Sequence, residues 1–349
     1  MSRLAVGPLQ SNPTDVALDP LQSDPVDVAL EPLYWLLEAW YWLLSQLYYA
    51  TGLELIHPEY AFMHRAILVG LCIGVMAPLI GTFLVHRQLA LIGDALAHTA
   101  FAGVAVGLFV NATLSFSVSP YLTAIVVAVI AALLIELISE YTDAYNDVSM
   151  AIVLSTGFAL GTVLISLNAG GLTVSIDQYL FGNLSTVSAE NAVLLLVLFA
   201  VVVGTVALTR NQLLYVTFDE VAAEVAGIPV RWYNRVMVML TALVVVGAMQ
   251  IMGVILVAAM LVVPVAGASQ VARSFSQALL TSVVLAELAV VVGIGVAYYA
   301  EATAGGVVVL VAVAIYVGCV GLGKLFAGSH REESAPDVDA IDSDGTPLE

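Results

Sequence analysis

The sequence predicts an all-α, polytopic membrane bundle of eight or nine crossings, and three observations predict it. Of its 349 residues, 61% are hydrophobic and only 10% charged, where a soluble domain carries about a quarter charged residues. The mean hydropathy is +1.02. Apolar runs long enough to cross ~30 Å of hydrocarbon recur along the chain.

These runs lie at 62–85, 89–110, 118–139, 148–168, 192–209, 277–299 and 304–326. One further stretch needs arithmetic. Between Arg235 and Arg273 stand 37 residues without a charge, about 55 Å as a single helix. Arginine at both ends places both in the cytoplasm. The chain therefore crosses and returns, with a broken or re-entrant limb near Gly253 or Pro264. Arg87, the Arg210–Arg235 loop, Arg273 and Lys324 then share the cytoplasmic side, and 111–117 and 169–191 face outward. Arg65, at the outer start of the first run, disagrees unless 33–50 also spans.

Ahead of the bundle, Pro8–Asp19 recurs as Pro20–Glu31 with nine of twelve positions identical. Such frequent prolines argue against a helix, so 1–32 is expected to be a disordered, repeated acidic leader. Residues 33–59 read as an interfacial aromatic helix and linker, because the Trp- and Tyr-rich run from Leu33 to Ala50 is interrupted by Glu38. Residues 60–327 form the membrane domain, and 328–349 a disordered acidic tail. The leader region through Glu59 carries eight acids against Arg3, and the tail seven against Arg331. Acidic ends exclude a nucleic-acid footprint and a polybasic grip on anionic lipid. With Lys324 as the single lysine, they suit salt-rich surroundings such as those of a halophile. Cys72 and Cys319 are too few for a disulfide framework or zinc site. No secretory signal peptide is legible after Met1.

Two stretches carry chemistry. In Leu91-Ile92-Gly93-Asp94-Ala95-Leu96-Ala97-His98, Asp94 and His98 stand four apart on one helical face within a span. An aspartate there costs ~2.5–3.5 kcal/mol on insertion scales, so it needs a reason. Carboxylate and imidazole together suit Mn²⁺, Fe²⁺ or Zn²⁺; a packing ion pair, or a histidine satisfied by a backbone carbonyl, is the plain alternative. Leu91 stands where an aspartyl protease of the Gly-x-Gly-Asp type needs glycine. The second stretch, Asp219 to Pro229, has short side chains at Ala222, Ala223 and Ala226 and a Gly227–Pro229 stop. It reads either as a docking helix for a cytoplasmic partner or as a solvated linker helix.

Other signals are weaker. Gly318 to Lys324 has phosphate-loop spacing, but Leu325 replaces the needed Ser or Thr and no strand precedes it. Any ATP is therefore handled by another subunit. Glu287 sits mid-span and Gln250 interrupts the long run; both are candidates for a pathway. His57, His64 and His86 lie near membrane edges, where surface histidines are the default. Asn111-Ala112-Thr113 and Asn183-Leu184-Ser185 are glycosylation sequons on the outer side.

The chain resembles the permease subunits of manganese/zinc/iron-type ABC importers and, more distantly, cobalamin and siderophore permeases. The resemblance covers about 60–326. It rests on Gly93-Asp94-Ala95-Leu96-Ala97-His98 with Gly103-Val104-Ala105, on Tyr179 to Leu184, on 219–229, and on Val254 to Pro264. It implies a type II importer fold in the plasma membrane and a homodimeric permease. It further implies two copies of an ATP-binding subunit and an extracytoplasmic metal-binding protein. Asp94 and His98 are implied as metal ligands. Asp219, Glu220, Ala222, Ala223, Ala226 and Gly227 are implied as the coupling surface for the ATPase. The divalent ion, zinc, manganese or iron, would be cargo rather than a resident cofactor, and the chain itself no enzyme. Ala102 departs from the family, where proline is common, and the leader has no counterpart there. A proton-coupled secondary carrier using Glu287 and Asp94 is the competing reading, but no inverted repeat is evident. An intramembrane metalloenzyme lacks a His-Glu-x-x-His set.

Overall fold

The computed structural model describes residues 25–113, 118–141, 146–167, 182 and 187–333. The described residues fold into helices: α1 Pro25–Thr51, α2 Ala61–His86, α3 Ile92–Thr113, α4 Pro120–Tyr141, α5 Asn146–Leu167 and α6 Ala189–Phe218. After these come α7 Glu220–Val225, α8 Val230–Met252, α9 Val254–Val271, α10 Phe275–Ala300 and α11 Ala304–Glu333. Nine of them, α2–α6 and α8–α11, are long and apolar enough to cross a membrane. The chain is a multi-pass membrane protein. No strand is found among the described residues. The phosphate-loop look-alike at Gly318–Lys324 lies within α11.

The uncharged stretch between Arg235 and Arg273 does turn back, and Gly253 makes the break. Its φ of 83° and ψ of 158° belong to a region open in practice to glycine alone. Pro264, the other candidate, lies inside α9. A membrane helix tolerates such a proline because neighbouring groups re-satisfy the freed backbone.

Two expected boundaries shift. The proline-rich leader was expected to hold no helix through residue 32, yet α1 begins at Pro25 and takes in Pro32. Proline in a first turn costs nothing, since its missing N–H would be unpaired there. Pro32 forfeits one backbone bond, which packing further along offsets. Leu37 and Leu44 are buried, Trp40 Nε1 donates to the His64 carbonyl at 2.8 Å, and α1 lies against α2 and α6. The earlier repeat lies outside the described residues. At the other end, α11 runs to Glu333, six residues into the expected tail.

α1 also resolves the Arg65 exception. Arg65 Nε donates to the Tyr41 hydroxyl at 2.7 Å, and Nη1 donates to the Val187 carbonyl at 3.1 Å. Two oxygens thus solvate its charge, so it needs no cytoplasmic placement. His64, expected at the surface, is buried instead, with Nε2 at 3.1 Å from the Ile56 carbonyl.

The core gathers on α2, α3, α8 and α9, where Ile73, Met76, Phe83, Leu96, Met237 and Met249 are fully buried. At the α2–α9 crossing the backbones touch: a Cβ on Gly81 would stand 1.9 Å from the Leu261 carbonyl oxygen. Small residues of this kind let membrane helices pack by dispersion. The outer helices show the reverse. Leu122, Val126, Ile130, Leu133 and Leu137 form an exposed apolar row along α4, as lipid or another apolar surface requires.

Candidate metal site and docking helix

Asp94 and His98 lie in the first two turns of α3. The acid benefits there from the positive end of the helix dipole. Their level in the bundle can be read from one contact. Leu261, near the middle of α9, touches both Gly81 and Gly93, its side chain standing 2.6 Å from where a Gly93 Cβ would be. The pair is thus level with the middle of α9.

The local geometry prepares the imidazole. His98 Nδ1 lies 2.9 Å from the Asp94 carbonyl oxygen and 3.3 Å from Asp94 Oδ1. A carbonyl oxygen only accepts, so Nδ1 carries the proton and donates. In the neutral ring Nε2 then keeps its lone pair, the arrangement that metal-ligating histidines adopt. The His98 ring packs edge-on to Phe158 of α5 at 5.6 Å, which limits its rotation. The Asp94 side chain is 42% exposed and His98 is partly so, so both face open space rather than the core. Among the described residues no cluster of three or more His, Cys, Asp or Glu could hold a metal. This pair is therefore an incomplete donor set.

Glu287 stands apart from it. Its carboxyl lies on α2, with Oε1 2.8 Å from where a Gly74 Cβ would be. Gly74 is seven residues before Gly81, about 10 Å along the helix. Both Glu287 oxygens are buried without a hydrogen-bond partner. Gln250 stands in the last turn of α8, two residues before its end at Met252. Glu287 is not among the contacts of the Asp94–His98 pair.

The docking stretch forms α7. Asp219 caps it, its Oδ1 accepting from the Ala222 N–H at 2.8 Å. It ends in a Schellman turn: Ile228 N–H donates to the Ala223 carbonyl at 3.0 Å and Gly227 N–H to that of Glu224 at 2.9 Å. Gly227 takes the left-handed φ of 80° that this turn needs. One residue of the expected coupling surface turns out otherwise. Ala223 is 0% exposed and packs on Val216 and Val230, so it seats the helix and cannot touch a partner. Sequence reading missed the residues that do point outward. Val221 is 74% exposed and Val225 86%; four apart on one face, they offer an apolar contact beside Ala222 and Ala226. The i, i+4 spacing was visible in the sequence, but small residues drew attention from it.

Arg87 also emerges only from the structure. It caps α2 and forms an ion pair with Glu220, the first residue of α7. Burial lowers the pKa of its guanidinium from the ordinary arginine value, and Glu220 acts to raise it. Nearby, Arg210 Nη2 donates to Ser276 Oγ at 3.0 Å. Arg87, Arg210 and α7 thus gather at one end of the bundle, which the positive-inside rule makes cytoplasmic.

A nine-span bundle with a half-exposed carboxylate–imidazole pair inside has the architecture of a membrane permease. The chain belongs to the ABC 3 transport family, whose pattern matches residues 59–322. The manganese transport system membrane protein MntC of Listeria monocytogenes is 30% identical over 260 residues, 74% of this chain and 89% of that one. The manganese import system permease protein ScaB of Streptococcus gordonii is 29% identical, over 74% of this chain and 90% of that one. Among solved structures, PsaBC from Streptococcus pneumoniae in complex with Fab superposes with a TM-score of 0.65 at 29% identity, covering 74% of this chain and 90% of that one.

Proposed function

We propose that this permease carries divalent metal ions, manganese foremost, from an external binding protein to the cytoplasm, driven by ATP hydrolysed in a separate subunit. The observation that carries the metal reading is the Asp94–His98 geometry: Nδ1 held on the Asp94 carbonyl, which leaves Nε2 available as a ligand in the neutral ring, beside a carboxylate. The relatives named as manganese systems support the choice of ion, and oxygen with imidazole donors suits it.

One chain offers two ligands, whereas such cations take four or more. A second copy related by a two-fold axis duplicates every residue near that axis. Two Asp94 and two His98 then supply two carboxylates and two imidazoles, which neutralise a dication and replace part of its water. The hold must stay weak enough for release, so the pair acts as a transient coordination point. On the cytoplasmic side, α7 seats in the ATPase through Val221, Ala222, Val225 and Ala226, with Asp219 and Gly227 shaping its ends.

Vesicles holding the permease with its ATPase test the driving force. Uptake of radioactive manganese should require ATP and stop when the ATPase is inactivated. Uptake driven by a proton gradient alone, with the ATPase inactive, would install the secondary carrier instead.

A further inference from the structure

α7 and the metal pair are joined by a short chain of contacts. α2 ends in a Schellman turn, with Gln88 N–H donating to the Val85 carbonyl at 3.0 Å and Leu89 N–H to that of Leu84 at 2.8 Å. Gln88 adopts a left-handed φ of 58° to close it, a conformation unfavourable for a non-glycine residue. Ile92 N–H then donates to the Leu89 carbonyl at 3.1 Å, and Ala95 N–H to that of Leu91 at 3.1 Å. Backbone bonds therefore run without a gap from the last turn of α2 into the first turn of α3. Asp94 is seven residues beyond Arg87.

The other end of this chain is tied to α7. Arg87 is the residue at the corner of the turn; its side chain is only 9% exposed and pairs with Glu220. Aromatic rings of the neighbouring residues meet one another. Phe218, the last residue of α6, meets His86 at 6.2 Å and Phe275 at 5.6 Å. His86 meets Phe275 at 5.1 Å. The ends of α2 and α6 and the start of α10 thus meet through three rings in mutual contact. Arg87 is mostly buried whereas Glu220 is half exposed, so loss of Glu220 would leave the Arg87 charge uncompensated.

We infer that Arg87 is a positioning residue, which through Glu220 transmits displacement of α7 to the α2–α3 turn and so moves Asp94 and His98. The inference rests on the reading of 219–229 as the coupling element. ATPase closure displaces α7, the Glu220–Arg87 pair drags the turn, and α3 follows because its first turn is bonded to it. The distance between the two metal pairs of a dimer changes as a result, which converts a holding geometry into a releasing one.

The test measures uptake per ATP hydrolysed in the reconstituted permease–ATPase complex with its binding protein. Arg87→Glu should lower that ratio about tenfold or more while assembly and basal hydrolysis persist, and Glu220→Arg should lower it by a similar factor. The double exchange should recover it to within about threefold, the signature of a direct pair, and Arg87→Lys should retain most of it. If Arg87→Glu fails to assemble, Arg87→Gln and Glu220→Gln are read by the same ratio. Unchanged ratios in the single variants, or no recovery in the double exchange, overturn the inference. Gly227→Trp separates the two readings. If it leaves uptake normal, the coupling reading falls and this inference with it; if it uncouples while Arg87→Glu does not, only the Arg87 link falls.

Discussion

Asp94 and Glu287 are both carboxylates on membrane-spanning helices, yet the protein treats them differently. Asp94 has a histidine four residues on, a place in a first helical turn and a side chain 42% exposed. Glu287 has both oxygens buried without a hydrogen-bond partner, pressed into the notch left by Gly74. On the proposed reading the first receives an ion and gives it up. The second is sealed between α2 and α10, where an unpartnered polar group costs stability. An acid within a span is therefore not a pathway residue by position alone; what decides is whether the carboxyl faces an opening and has a donor beside it.

The largest effect should come from the exposed pair. Asp94→Asn and His98→Ala should each reduce metal uptake about a hundredfold or more, roughly 3 kcal/mol of lost ion stabilisation, while the complex still assembles and hydrolyses ATP. Wild-type uptake in either variant would return the pair to a packing role. Next comes the notch. Gly74→Leu should lower the thermal midpoint of the purified permease by several degrees, because the new side chain occupies the space of the Glu287 carboxyl; no change would mean that α2 and α10 do not pack as described. A smaller loss is expected at Phe158. Phe158→Ala removes the ring that limits His98 and should weaken uptake severalfold through a higher KM for the ion, with maximal uptake kept. Smallest of all is Glu287→Met, which should leave uptake within about twofold and raise stability by about 1 kcal/mol, since an unpaired buried acid is exchanged for an apolar side chain. Collapse of uptake in that variant would put Glu287 back on the pathway.

The spans were legible because hydrocarbon thickness sets their length, and even the hidden return between Arg235 and Arg273 followed from length and charge. The spacing of Asp94 and His98 exposed their shared face for the same reason: helical period needs no tertiary knowledge. What stayed hidden depends on which side of a helix meets a neighbour. Ala223 and Val221 are two residues apart, and only packing against Val216 and Val230 shows that one is a seat and the other a contact. Arg87 read as a topology marker, since its partner Glu220 is 133 residues away. The start of α1 was missed because proline counts outweighed the stabilisation that Trp40, Tyr41 and Leu37 gain on α2.

The central claim is that two copies of one pair hold one ion. Electron paramagnetic resonance of the nucleotide-trapped complex, saturated with Mn²⁺ and carrying ¹⁵N-labelled histidine, addresses it directly. The account predicts one bound ion per two permease chains, with hyperfine coupling to imidazole nitrogen that disappears in His98→Ala. One ion per chain, or nitrogen coupling that survives His98→Ala, would contradict it.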